Sequence, residues 1–279
     1  MEPIFKKLGL AITFSPTGKA LLYEVNRLRK LFDASLVLIH VGKKDEQAMK
    51  MLEQAVSEAG LTVGDTEIVW AEGDPGSAIL ESSKNAGVDL LVAGALEKET
   101  FIKYYLGSVA RKIMRNASCS TLILTSPSET TLGFKKFYVS ADYSAACEKT
   151  VKLTYNFALL ENAEEFVIVK DFHLPGLAST VLSSGSVSET QQIRDEWILK
   201  EEGTMKIFAR ELKLSGVPIK TKALYGKEGW EAGNFARENG ADLFAVTAPI
   251  RKLKFLDRLF THEVEYLFEE LPTNLLIIR

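Results

Sequence analysis

The chain has 279 residues, enough for two domains, and its 46% hydrophobic and 25% charged residues exclude an intrinsically disordered protein. The formal net charge is −3, no apolar run reaches the roughly 20 residues of a membrane span, and only two cysteines are present. These features predict a soluble cytoplasmic protein that has no nucleic-acid partner, no membrane insertion and no metal site.

Short apolar runs alternate with helical patterns along the first part of the chain. The predicted strands are residues 8–14, 35–41, 66–71, 90–93 and 121–124. The predicted helices are residues 18–32, 45–59, 76–86 and 107–117. Because the strands lack polar alternation and each is followed by a helix, they favour a parallel sheet with helices on both faces.

The second half of the chain repeats the first. The motif Gly87-Val-Asp89 recurs as Gly240-Ala-Asp242, 153 residues later, and the closing apolar strands recur at the same spacing. The opening strands also match, with residues 10–15 corresponding to residues 139–144, but here the spacing is 129. An ordered series of such matches predicts two similar domains in one chain.

The difference between the two spacings predicts an insertion of 24 residues in the second half. We expect it near residues 174–200, where the Ser- and Gly-rich stretch 178–188 is typical of a mobile loop. The polar, turn-rich segment 126–133 predicts the domain boundary. The predicted fold is therefore α/β, with two tandem doubly wound, Rossmann-like domains at 1–130 and 131–279, each with a five-stranded, mainly parallel sheet.

The loops that follow the strands of the first domain carry a candidate ligand site. Open α/β sheets bind ligands beyond the carboxyl ends of their strands, where the strand order reverses. Thr13 and Ser15 follow the first predicted strand, Val41 ends the second, and Gly94 follows the fourth. Gly107-Ser108 begins the next helix, whose amide donors and positive dipole end suit a phosphate.

The spacing of these residues resembles the nucleotide loop of the universal stress protein family, which reads Gly-x2-Gly-x9-Gly-(Ser/Thr). Gly94, Gly107 and Ser108 match this loop, and the resemblance covers both halves of the chain, as in tandem universal stress proteins. Family members with the full loop bind ATP, whereas others lack the loop and bind no nucleotide. The resemblance implies a stress-response binding or regulatory protein for which ATP is the implied ligand.

Two residues of the first domain depart from the family pattern. Glu97 stands at the second glycine position, where a carboxylate adds bulk and negative charge near a triphosphate. Thr13 replaces the Asp with which the family contacts the nucleoside. We therefore expect weak ATP binding in this domain, with the base near Val41 and the phosphates at the loop glycines. We expect the helix after the loop to attract these phosphates through Arg111, Lys112 and Arg115.

The second domain keeps the complementary part of the site. Asp142 occupies the family's Asp position, and Ser144 follows it. The positions that correspond to Gly94, Glu97, Gly107 and Ser108 hold Thr247, Ile250, Phe260 and Thr261. Because this loop has no glycine left, we expect the second site to bind no ATP and Asp142 to stabilise its own turn by an Asx hydrogen bond.

No catalytic constellation accompanies these loops. The sequence has no lysine after Gly107-Ser108 of the kind that NTPase loops carry, and no histidine has an Asp and Ser partner at useful spacing. We expect His40 to be packed among apolar neighbours. A binding or regulatory protein is therefore favoured over an enzyme. The alternatives are a slow ATPase that uses the first site, and a nucleotide-free protein that binds other proteins or a small ligand.

The resemblance also implies how the domains assemble. Universal stress domains usually pair through their final strands, here residues 121–124 and 275–278. We therefore expect an intramolecular pseudo-dimer of the two domains, together with a homodimer of whole chains and protein clients that the sequence does not identify.

Overall fold

The computed structural model describes residues 3–62, 64, 66–97, 104–105, 107–173, 187–248 and 271–279. The chain divides into two compact units: unit 1 comprises Met1–Phe134 and Phe268–Arg279, and unit 2 comprises Lys135–Leu267. The assignment of residues 1–130 and 131–279 to two repeat domains stays a prediction. Within the described ranges, no helix is both long enough and apolar enough to cross a membrane.

Unit 1 alternates strands and helices in the predicted order. Its strands are β1 (Lys7–Ile12), β2 (Ser35–Val41), β3 (Thr66–Ala71), β4 (Leu90–Gly94), β5 (Leu96–Glu97), β6 (Tyr104–Tyr105), β7 (Ser120–Leu124) and, from the far end of the chain, β12 (Asn274–Ile278). Its helices are α1 (Pro16–Phe32), α2 (Glu46–Glu58), α3 (Pro75–Asn85) and α4 (Ser108–Asn116). The predicted first strand is two residues too long, because the chain leaves the sheet at Thr13 and Ser15 already caps α1.

The main sheet of unit 1 has the strand order β3-β2-β1-β4-β7-β12. The first five strands are parallel, and β12 runs antiparallel to β7, with Leu276 opposite Leu122. The central strand is β1, where Leu8 pairs with Leu36 on one side and Leu90 on the other. The core surrounds this strand, because its leucines are fully buried.

Unit 2 has the same strand order as the corresponding part of unit 1. Its strands are β8 (Lys136–Ser140), β9 (Glu165–Phe172), β10 (Ile219–Tyr225) and β11 (Leu243–Thr247), and its helices are α5 (Ala145–Leu160), α6 (Val187–Glu211) and α7 (Glu231–Glu238). The four strands are parallel in the order β10-β9-β8-β11. The predicted α/β class is confirmed. Unit 2 itself contains four of the five predicted strands, because the fifth, β12, pairs with β7 of unit 1.

Part of the predicted insertion is helix. α6 ends at Glu211, 153 residues after the end of α2 at Glu58, but it has 25 residues and α2 has 13. The longer helix therefore accounts for 12 of the 24 inserted residues. The predicted mobile loop 178–188 lies outside the described residues except for positions 187 and 188. At these two positions the prediction is wrong, because α6 begins there.

The most regular motif of the repeat has a structural role in both units. The Asp89 carboxylate accepts hydrogen bonds from the backbone amides of Lys6 (2.7 Å) and Lys7 (3.1 Å). Asp242 accepts the same bonds from the amides of Lys135 (2.7 Å) and Lys136 (2.9 Å). Each aspartate precedes the fourth strand of its unit and holds the start of the first strand beside it. The Gly-x-Asp motif thus aligns two neighbouring strands.

We predict that Asp89→Asn lowers the free energy of unfolding by about 1–2 kcal/mol, because the amide nitrogen of Asn cannot accept from a backbone amide. Chemical denaturation measures the change. Glu53→Gln is the matched control, since Glu53 lies exposed on α2 and the described residues give its carboxylate no partner. Equal stability of the two variants would contradict the assigned role.

Candidate functional site

The strand order of unit 1 reverses between β1 and β4, because the chain passes from β1 to β2 on one side while β4 lies on the other. The structure therefore brings the turn after β1 and the end of β4 to the same edge of the sheet. Thr13 is exposed in this turn, and its hydroxyl lies 2.9 Å from the Ser15 hydroxyl. Ser15 Oγ also accepts from the amide of Gly18 at 3.1 Å. The two hydroxyls are thus engaged with each other and with the start of α1.

The turn after β1 is tight, and Gly18 makes this possible. A Cβ atom at Gly18 would lie 1.9 Å from the carbonyl oxygen of Thr13, well inside any allowed contact. No flexible side chain can relieve this clash, because the atom in the way is backbone. Gly18 therefore lets α1 begin directly above the end of β1.

Gly94 at the end of β4 faces α1. Its Cβ position is 2.9 Å from Cδ1 of Leu21 and 3.6 Å from Cγ2 of Thr17. Because Gly94 has no side chain, α1 can pack closely against the end of β4. The sequence could not indicate this contact, because Gly94 and Leu21 are 73 positions apart.

Val41 and His40 end β2 beside the turn. Val41 is half-buried, and the His40 ring packs against Phe14 (centroids 4.5 Å apart) and Trp70 (4.9 Å). His40 Nδ1 also lies 3.2 Å from the carbonyl oxygen of Ile12. The prediction that His40 is packed is confirmed.

The helices of each unit differ in how the amides of their first turns are satisfied. Side-chain oxygens cap α1, α2, α3 and α5 through Ser15, Asp45, Asp74 and Ser144. α4 begins after Gly107, which provides no side-chain cap, and Ser108 is exposed. The amides of Ser108, Val109 and Ala110 find no acceptor in the described part of the chain. Among the described residues, the donors at the positive end of α4 therefore have no acceptor.

The Lys112 side chain does not extend toward this helix start. Its ammonium group donates to Asp74 Oδ2 and to Ser77 Oγ, both at 2.6 Å, at the beginning of α3. The Lys112 ammonium group is thus paired with the Asp74 carboxylate, and the expectation that Lys112 attracts phosphate stays a prediction. These bonds lower the pKa of Asp74 to about 2, mainly through Lys112 and secondarily through the Ser77 amide.

Glu97 lies in the short strand β5, whose backbone pairs antiparallel with β6. In this pairing Leu96 is opposite Tyr105 and Glu97 is opposite Tyr104. The second glycine position of the loop therefore belongs to a small hairpin between β4 and α4.

The corresponding edge of unit 2 is held by hydrogen bonds between its own residues. Asp142 Oδ1 accepts from the amide of Ser144 at 2.8 Å, which confirms the predicted Asx turn. Ser144 caps α5, and Thr247 Oγ1 lies 2.9 Å from Thr150 Oγ1. The other three positions of the second loop, Ile250, Phe260 and Thr261, lie outside the described residues.

Tyr143, which the sequence did not indicate as a functional residue, connects α6 to the turn after β8. Tyr143 has a left-handed backbone (φ 62°), and its hydroxyl donates to Glu201 Oε1 at 2.5 Å. Its ring packs against Phe208, and the Lys170 ammonium lies 5.1 Å from the ring centroid. Burial, and then the bond to Glu201, raise the pKa of the Tyr143 hydroxyl. No sequence signal could have identified this cluster, because the helix that supplies Glu201 and Phe208 lies partly within the insertion.

Asp171 at the end of β9 is a second residue that the sequence analysis missed. Its carboxylate is buried and accepts from the amide of Ala232 in the first turn of α7 at 3.0 Å. Burial raises the pKa of this carboxyl group, and the amide bond opposes the shift. At the spacing of 129, the corresponding residue of unit 1 is Gly42, which carries no side chain that could reach a helix.

Comparison with known proteins matches residues 42–125 to the model of the universal stress protein family. The universal stress protein YxiE of Bacillus subtilis is 27% identical over 147 residues, which are 43% of this chain and 99% of that protein. A universal stress protein of Methanocaldococcus jannaschii is 30% identical over 148 residues, which are 45% of this chain and 85% of that protein.

The likeness to solved structures covers the whole chain. The crystal structure of a universal stress protein from Archaeoglobus fulgidus gives a TM-score of 0.63 at 15% identity and covers 100% of this chain and 99% of its own. A crystal structure from Pseudomonas aeruginosa gives a TM-score of 0.70 at 15% identity and covers 98% of this chain and 93% of its own. At this identity the likeness concerns the fold alone, and it extends over both units.

We predict that Lys112→Met raises the pKa of Asp74 from about 2 toward its ordinary value of 3.8. The folded-state pKa is depressed, so the stabilisation is complete above pH 3.8 and is lost as the pH falls through about 2. Carbon-13 NMR titration of the Asp74 carboxyl measures the shift. Lys30→Met removes an exposed charge from α1 and serves as control. An Asp74 pKa that Lys112→Met leaves unchanged would rule out the bridge in solution.

Proposed function

Because the chain belongs to the universal stress protein family, we propose that it is a stress-response binding protein that holds ATP at the carboxyl edge of unit 1. The observation that carries this proposal is the uncapped start of α4. In α1, α2, α3 and α5 the N-cap side chain accepts from one first-turn amide, and in α7 Asp171 does so, whereas the described residues provide no such acceptor for α4.

A phosphate group fits this helix start on electrostatic grounds. The aligned peptide dipoles place partial positive charge at the first turn, which stabilises an anion there by about 0.3–1 kcal/mol at an exposed site. Gly107 supplies no Cβ, so an anion can approach the amides closely. We place the phosphates at Gly107, Ser108 and the hairpin that follows Gly94.

The remainder of the nucleotide lies along the ends of β1 and β2 in this proposal. The base contacts Val41, which is half-buried, and Ser15 lies near the ribose or phosphates. Thr13 offers a neutral hydroxyl in place of the family's Asp, and that hydroxyl already bonds to Ser15. The affinity is therefore modest, because no charged group of this turn orients the nucleoside.

Unit 2 binds no ATP in this proposal. Lys170 stands where unit 1 has Val41, and its ammonium group rests on the Tyr143 ring. Thr247 stands where unit 1 has Gly94, and its hydroxyl bonds to Thr150. In unit 2 the Lys170 side chain thus stands at the position of the proposed base contact, and the Thr247 side chain is bonded to α5.

A nucleotide-free interaction protein is the second candidate function. It is favoured by Glu97, which brings a negative charge into the loop, and by the engaged hydroxyls of Thr13 and Ser15. In that case the loops of unit 1 bind a protein or a small uncharged ligand. A slow ATPase remains the third candidate, with the same site and a water as nucleophile.

We also propose a cytoplasmic location, because both cysteines, Cys119 and Cys147, are buried free thiols, as is usual in a reducing compartment. The pseudo-dimer of the two domains, a homodimer of whole chains and the identity of protein clients stay predictions.

We predict that the purified protein releases ATP on denaturation, as measured by mass spectrometry.

We also predict that two variants change the affinity for ATP in opposite directions, as measured by calorimetry. Glu97→Gly tightens binding about ten-fold, because it removes a like charge near the phosphates. Gly107→Phe, which copies Phe260 of the second repeat, abolishes binding because the ring covers the first amides of α4.

Each variant has a matched control. Glu53→Gln removes a carboxylate charge from exposed α2, and Gly203→Phe adds the same ring on α6, where no atom lies within 4 Å of the Cβ position. Both controls should bind ATP as the wild type does. If Glu97→Gly leaves ATP binding undetectable, the nucleotide-free function replaces this one. If Gly107→Phe leaves binding intact, the assigned position of the phosphates is wrong.

A further inference from the structure

We infer that Leu21 and Gly94 form a matched pair in which Leu21 positions the chain after β4 for the ligand, and that unit 2 carries the alternative pair Thr150 and Thr247. The role toward the ligand rests on the proposed function, whereas the pairing itself rests on packing alone. In this account the absent side chain of Gly94 makes room for α1, and a substitution at residue 94 affects the ligand through α1.

The geometry of unit 1 places the missing side chain of Gly94 against Leu21. Leu21 is 5% exposed, and its Cδ1 atom lies 2.9 Å from the Cβ position of Gly94. Real Cβ atoms do not approach carbon this closely, so any side chain at residue 94 must displace Leu21 or shift α1. After Gly94 the chain continues beside β7, because the Ala95 amide donates to the Leu124 carbonyl at 2.8 Å. The direction in which the chain enters the β5–β6 hairpin therefore depends on how closely Leu21 packs.

Unit 2 has a different pair at the same two positions. At the spacings of 129 and 153 residues, Thr150 corresponds to Leu21 and Thr247 corresponds to Gly94. Register supports this correspondence, since Leu8 pairs with Leu90 in β4 and Phe137 pairs with Leu243 in β11.

The two threonines of unit 2 satisfy each other. Thr150 is fully buried, and its hydroxyl donates to the carbonyl of Ala146 at 3.1 Å. Its oxygen is then left to accept from the Thr247 hydroxyl at 2.9 Å. The larger side chain at the end of β11 is tolerated because a smaller, polar residue faces it from α5. The two units therefore differ at both positions together: unit 1 has Leu21 with Gly94, and unit 2 has Thr150 with Thr247.

The exchange separates two explanations of the glycine at this position. If the ligand needs the space beside the Cα atom of Gly94, any side chain there lowers affinity whatever residue stands at position 21. If Gly94 acts through Leu21, shortening Leu21 makes room for a side chain at residue 94. A hydroxyl at both positions then restores the packing and the path of the chain into the hairpin.

A double-mutant cycle tests this with four proteins: wild type, Leu21→Thr, Gly94→Thr and Leu21→Thr/Gly94→Thr. Thermal unfolding reports on the packing, and calorimetry with ATP reports on the site. Gly94→Thr should lower the unfolding midpoint by about 4–8 °C, as expected for overpacking in a protein of this size. The double variant should melt above both single variants, because it reproduces the Thr150–Thr247 pair. ATP affinity should fall at least ten-fold in Gly94→Thr and return to within about three-fold of wild type in the double variant.

Two results would overturn the inference. Additive effects on the midpoint would show that the residues are not a pair, and a double variant with the same low ATP affinity as Gly94→Thr would make Gly94 a direct ligand contact. If the wild type binds no ATP, the proposed function fails while the unfolding cycle still decides the pairing.

If Gly94→Thr does not fold, Gly94→Ala with Leu21→Val gives a milder cycle with the same expected sign. Thr247→Val in unit 2 is the control, and it should lower the midpoint without changing ATP affinity.

Discussion

A parallel sheet sends the amino ends of its crossover helices to one edge, and the first amides of each helix must find acceptors there. Hydroxyl or carboxylate side chains satisfy this requirement through Ser15, Asp45, Asp74, Ser144 and, from a neighbouring strand, Asp171. α4 is the exception among the helices whose starts the structure describes, because Gly107 brings no side chain to its first turn. The proposed ligand site of unit 1 rests on this exception. A helix start whose first amides have no acceptor among the described residues suits an anion, whereas each capped helix start has one first-turn amide already bonded to a side chain.

The two units share the contacts that align their first and fourth strands, but they differ in the turns that follow the first strand. Asp89 and Asp242 each accept from two backbone amides at the start of the first strand of their unit. The turns after the first strands have diverged: Gly18 keeps the turn of unit 1 closed, whereas the side chain at the corresponding Cys147 accepts from the Asp142 amide at 3.4 Å. The turn of unit 2 contains Tyr143, which bonds to Glu201 and packs against Phe208 of the lengthened α6.

The sequence predicted most of the strands and helices but few of the side-chain contacts between them. Strands and helices of unit 1 were predictable within a few residues, because apolar runs and helix caps such as Asp45 are local signals. The long-range partners were not, since Lys112 is 38 positions from Asp74 and could equally have been directed at a phosphate. Gly94 illustrates the same limit, because a glycine in a sequence does not indicate whether a ligand or a helix occupies the space beside it. The contacts of Tyr143 are made by α6, which has 25 residues where the corresponding α2 has 13. The repeat spacing alone indicated an insertion there but not that it lengthens a helix.

Amide nitrogen-15 NMR of the full chain during ATP titration tests the central claim most directly, because it observes the helix starts themselves. The account predicts that the largest shifts occur at the amides of Ser108, Val109 and Ala110, and that they saturate together. The capped amide of Cys147 at the start of α5 in unit 2 should not move, since Ser144 already satisfies it. Unchanged amides in the first turn of α4 at saturating ATP, or equal shifts at the start of α5, would contradict the account.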